Sequence, residues 1–87
     1  MNDMGAPKEL SALDRAVATR IRMLAAQANL KQSALAALAG IPVSTFNRYW
    51  NGTRSMTLGD VERTLEALGT TYSQEADEIR ALIDAGE

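Results

Sequence analysis

Four breaks in an otherwise helix-forming chain decide what it can fold into. Asn29, Gly40, the pair Asn51-Gly52 and Gly69 divide it into short segments, because glycine and asparagine take the left-handed backbone that ends a helix. Between the breaks, apolar residues recur at helical spacing and nothing alternates as a strand does. Leu13, Val17, Ile21, Leu24 and Ala28 make one stripe in the first segment, and Ser11 with Asp14 gives an N-terminal capping pattern. A second helix is expected from Gln32 to Ala39, with Leu35 and Leu38 inward. Pro42 suits the first turn of a third, reaching to about Trp50. Thr57 and Asp60 announce a fourth, with Leu58, Val61, Leu65 and Leu68 on one face. Ser73 is placed to cap a fifth, in which Ala76, Ile79, Leu82 and Ile83 share a side. The expected fold is all-α, with five short helices and no internal repeat.

With 87 residues, 46% of them hydrophobic, the chain is one domain near the lower limit for an unaided core. Its organisation reads as a flexible lead-in at 1–10, a main helical domain at 11–70, and a C-terminal helix at 71–87 serving packing or dimerisation. There is no cysteine and no histidine. Disulfides, thiolate metal sites, and the commonest general base and metal ligand are therefore missing. An enzyme would be left with a carboxylate or lysine mechanism, so none is expected, nor any cofactor, metal or small-molecule ligand. No apolar run approaches the ~20 residues of a membrane span, and the N-terminus lacks a signal-peptide pattern. A cytoplasmic protein with no membrane partner is the expectation.

Charge is distributed unevenly. From Arg15 to Gly59 there is no acid, while Arg15, Arg20, Arg22, Lys31, Arg48 and Arg54 are all basic. From Asp60 onward eight acids stand against two arginines, so the net charge of −2 conceals a bipolar molecule. A continuous stretch cleared of acids suits presentation to a polyanion.

Inside that stretch lie two short helices joined by a glycine-led turn, the helix-turn-helix arrangement. Ala36 is small where the two helices cross, Gly40 supplies the turn, and Ile41, Phe46 and Trp50 seat the second helix. Here the chain resembles the lambda-repressor-like family, the Cro/repressor or XRE-type helix-turn-helix domains. The matching residues are Ile21-Arg22, Leu30, Gln32, Leu35-Ala36, Gly40, Ile41, Ser44-Thr45-Phe46 and Asn51-Gly52, within roughly Val17 to Leu68. Tyr49-Trp50-Asn51-Gly52 looks like the ending found in phage and bacterial repressors. One departure is Lys31, where the family often has a Ser or Thr cap.

The resemblance implies that residues 11–70 are a helix-turn-helix DNA-binding domain, part of a five-helix fold whose third helix enters the major groove of double-stranded DNA. With Phe46 and Trp50 inward, the opposite face shows Val43, Ser44, Asn47 and Arg48. These types suit base edges: arginine for guanine, asparagine for adenine, serine for either, and valine for a thymine methyl. Gln32 matches a family position that commonly contacts phosphate. Lys31, Thr45, Asn51, Thr53 and Arg54 are further phosphate candidates. Arg20 and Arg22 are candidates too, although about 200° around a helix separates them, so both are not expected to touch DNA. A phage- or prophage-type repressor, an immunity repressor or Cro-like protein acting by operator occupancy, is the functional expectation. A domain of this size covers one half-site, so a homodimer on the operator is expected. The rival is a protein-interaction module, such as an antitoxin or regulatory adaptor, using the Ala-rich surface or the acidic fifth helix.

Overall fold

A computed structural model describes residues 10–86. The lead-in expected at 1–10 lies, apart from Leu10, outside them. The described residues form five helices in the order α1 (Ala12–Gln27), α2 (Gln32–Ala39), α3 (Val43–Trp50), α4 (Leu58–Ala67) and α5 (Tyr72–Asp84). None of these helices is long and apolar enough to cross a membrane.

Local chemistry sets the boundaries. At α1 the Ser11 hydroxyl accepts from the Asp14 amide while the Asp14 carboxylate accepts from the Ser11 amide, a complete capping box. Thr57 caps α4 in the same sense through the Asp60 amide. The cap of the fifth helix lies two residues before the expected Ser73: Thr71 takes that place and accepts from the Gln74 amide, so the helix begins at Tyr72.

The helix ends share a device. After α1, α2, α3 and α4, a residue of positive φ (Asn29, Gly40, Gly52 and Gly69) turns the chain. The amide that follows it then bonds a carbonyl five residues back: Leu30 to Ala25, Ile41 to Ala36, Thr53 to Arg48 and Thr70 to Leu65. At Gly40, φ is +71° and an added Cβ would meet nothing within 4 Å. Glycine is required there by backbone conformation, not by crowding.

The core is a single cluster built from Val17, Ile21, Leu35, Ile41, Phe46, Tyr49, Val61, Leu65 and Ile79, with alanines where helices approach. Ala36 and Ala25 are fully buried, so the small-residue crossing expected at Ala36 is present. α5 lies along α1, and α2 lies against both α4 and α3. The apolar face of α5 is therefore used inside the molecule: Ile79 is buried, and Leu82 and Ile83 pack on the cluster.

Several inward assignments are corrected. Leu38 is 63% exposed, because an eight-residue α2 buries only the side carrying Leu35, Ala36 and Ala39. Leu13 and Ala28, at the two ends of the α1 stripe, are exposed, as is Leu58 at the start of α4. A helical stripe is buried only where another helix lies across it. Trp50 is half-buried, and Tyr49 takes the fully buried place beside Phe46.

Candidate nucleic-acid interface

The rotation of α3 about its axis is set by its aromatic side. Phe46 meets Tyr49 edge-on, with ring centroids 6.5 Å apart, and lies 6.1 Å from Trp50 at a tilt. With those three rings facing the core, Val43, Ser44, Asn47 and Arg48 face solvent. Thr45 sits at the margin, half-buried. The four candidate base-reading side chains thus share one continuous face on a rigidly seated helix.

The start of α2 adjoins that face. Gln32 donates its side-chain amide to the side-chain carbonyl of Asn47, so two residues fifteen positions apart in sequence act as one unit. Lys31 precedes them, exposed, and gives α2 no side-chain cap. The segment after α3 flanks the other end. Asn51 closes the helix, and both the amide and hydroxyl of Thr53 donate to the Arg48 carbonyl, at 2.9 and 3.3 Å. Arg54 lies over the Tyr49 ring with its guanidinium carbon 6.0 Å from the centroid.

Two acids bond here, Asp14 to the segment itself and Asp60 to Tyr49 of α3. Asp14 accepts from the Ser55 hydroxyl at 2.5 Å. That bond, foremost, keeps the Asp14 carboxyl below its ordinary range. Asp60 accepts from the Tyr49 hydroxyl at 2.6 Å and pairs with Arg63. The tyrosine bond is the main reason the Asp60 carboxyl is held low. Burial, seconded by that same carboxylate, pushes the Tyr49 phenol up, so it remains a neutral donor. Sequence reading missed Tyr49, Ser55 and Asp60. The available signal was Tyr49 three residues after Phe46, on the same helical side.

The α1 arginines take other places. Arg20 donates from Nε to Glu75 Oε1 at 2.6 Å in a largely buried pair, and Thr70 donates to the other Glu75 oxygen at 2.9 Å. Arg22 donates to the Trp50 carbonyl at 2.8 Å and to the Thr19 hydroxyl at 3.1 Å. A cation on the last carbonyl of α3 suits that helix's negative end. Neither guanidinium joins the exposed set, because each is bound within the fold. By contrast, Lys31, Arg48 and Arg54 are exposed and, among the described residues, make no ion pair. Among the described residues there is also no group of three or more acids placed to hold a metal.

A model of the family described as "Helix-turn-helix domain" matches residues 16–82, most of the chain. The chain belongs to this helix-turn-helix family. Comparison with curated proteins and with solved structures returned no match. In a DNA-binding helix-turn-helix the second helix of the pair is the one that enters the major groove. Here the second helix of the pair is α3, whose outer face carries Val43, Ser44, Asn47 and Arg48. Membership implies DNA binding, and it agrees with the lambda-repressor-like resemblance read from Gln32, Gly40, Ile41 and Phe46.

Proposed function

We propose that this helix-turn-helix domain is a sequence-specific transcriptional regulator that reads double-stranded DNA with the outer face of α3. The observation that carries the reading is that Val43, Ser44, Asn47 and Arg48 stand together in solvent while the opposite side of the same helix is locked into the core. Arg48 is suited to guanine, Asn47 to adenine, Ser44 to either and Val43 to a thymine methyl. Gln32 holds Asn47 and, with Lys31, Thr45, Asn51, Thr53 and Arg54, surrounds the reading face with groups suited to phosphate. Each good bidentate pair contributes roughly 1–3 kcal/mol of discrimination.

Operator occupancy is the mode of action proposed, as in phage and prophage repressors, because a bound domain blocks a promoter without chemistry of its own. A homodimer on a two-half-site operator follows from the small footprint of one domain. Such a regulator works in the cytoplasm.

The test is selection from a random duplex pool, followed by binding to the selected sequences across a salt series. A consensus with half-sites about 34–36 Å apart supports a dimeric reader. If about five phosphates are neutralised per subunit, log K falls against log salt with a slope of about −4 to −5 per subunit. Salt-sensitive binding with no consensus would replace the specific regulator with an architectural role. No binding at low salt would end the DNA reading.

A further inference from the structure

Of the six large apolar side chains that stand exposed among the described residues, three (Leu13, Leu58 and Tyr72) line one groove of about 630 Å³ where α1, α4 and the start of α5 meet. Leu58 is 89% exposed, a state that water makes unfavourable for leucine. Val17 and Val61 continue the apolar lining inward. Among the described residues, the charged ones lining the groove are all acids, Asp14, Glu62 and Glu66, with no lysine or arginine. Glu62 and Glu66 are four residues apart on α4 and so lie along one helical face. The nearest cation on that helix, Arg63, is paired with Asp60.

We propose that this groove docks an amphipathic helix of a protein partner, with its apolar stripe on Leu13, Leu58 and Tyr72 and flanking lysines or arginines on Glu62 and Glu66. Shape and apolar lining suit helix-in-groove recognition. Charge selects the occupant. A twofold pairing of this face with a second copy would bring two linings together whose charged groups, Asp14, Glu62 and Glu66 in each, are all acids, and like charges across an interface are costly. A basic amphipathic helix meets both the apolar and the acidic demand. The site is separate from the outer face of α3, so it does not rest on the DNA reading.

The test uses the whole chain and a labelled leucine-lysine peptide of roughly 16 residues, long enough to hold a helix, with a leucine-glutamate twin as control. Fluorescence anisotropy should show saturable one-to-one binding of the lysine peptide and none of its twin. Leu58→Ser, and separately Glu62→Lys with Glu66→Lys, should each weaken binding at least about tenfold, or 1.4 kcal/mol. All three positions are exposed, so folding is not at stake. Asp77→Lys with Asp84→Lys, an equal charge change on α5 outside the groove, should leave binding unaltered. Equal weakening by both charge pairs would reduce the effect to general attraction and overturn the proposal, as would no binding at all. So would a free protein that sediments as a dimer while Leu58→Ser sediments as a monomer, which would make the second copy the occupant. Binding seen only after removal of residues 1–9 would give the groove to the chain's own N-terminus, and would equally overturn it.

Discussion

Helices α1, α4 and α5 each begin under a side-chain cap, from Ser11, Thr57 and Thr71, whereas α2 and α3 begin at Lys31 and Pro42 with none. The arginines divide along the same line. Arg20 and Arg22 of α1 are bound inside the fold, while Arg48 of α3 and Arg54 beyond it face solvent. The frame binds the cations of α1 within itself, and the helix-turn-helix pair with the segment after it leaves Lys31, Arg48 and Arg54 exposed. Both halves share one apolar core, and they differ in where their charged groups end.

The comparison breaks most easily at Arg20. Arg20→Ala leaves Glu75 without its cation in a largely buried place, and about 3 kcal/mol of stability should be lost in urea unfolding. DNA affinity of the folded fraction should stay within about twofold. A loss of affinity without loss of stability would erase the division. Glu75→Gln tests the same pair by pH. The Arg20 bond, more than any other influence, holds the Glu75 carboxyl low in the folded state. Its contribution is therefore complete above the ordinary glutamate pKa of about 4.3 and disappears as pH falls below that through the folded value. The wild-type and Glu75→Gln proteins should differ by about 1.5–3 kcal/mol at neutral pH and converge in acid. Parallel curves would dismiss the ion pair.

On the open half the effects should reverse. Arg48→Ala should cost about 1–3 kcal/mol of affinity at the selected site and relax preference at one base position, with unchanged thermal unfolding. Arg54→Ala should weaken all sequences alike and flatten the salt slope by about one; a sequence-selective loss would move Arg54 into base reading. The smallest and sharpest change is Lys31→Ser. A hydroxyl cap should stabilise the free domain by about 1 kcal/mol and weaken DNA binding through loss of a cation. If it stabilised without weakening, Lys31 would have no part at the phosphate backbone.

How much of this was legible follows from the range over which each interaction acts. Caps and stops are local, so Ser11, Thr57, Gly40 and Asn51-Gly52 could be read where they stand, and α2 has the bounds its sequence announces. Burial at helix margins depends on what crosses there, and periodicity alone placed Leu38, Leu13 and Leu58 inside when they are outside. The reading face of α3 was drawn with Trp50 as its counterweight. Tyr49 occupies that place more fully, yet the same four residues remain outward, because both aromatics lie on one side of the helix. The long-range polar bonds left no periodic trace: Arg20 to Glu75 spans 55 residues, and nothing in an acidic tail distinguishes the one glutamate that turns inward.

Asp14 and Asp60 stand immediately outside the two ends of the acid-free stretch, and both fold back onto it, one at Ser55 and the other at Tyr49. Anyone seeking a tighter DNA binder by raising its positive charge would choose acids close to the interface first. These two are the wrong ones to remove. Each gives up one negative charge at the cost of a hydrogen bond, Asp14 the one to Ser55 next to Arg54 and Asp60 the one to Tyr49, over whose ring Arg54 lies. The acids of α5 that point into water, such as Asp77 and Asp84, offer the same change in charge with nothing attached to it.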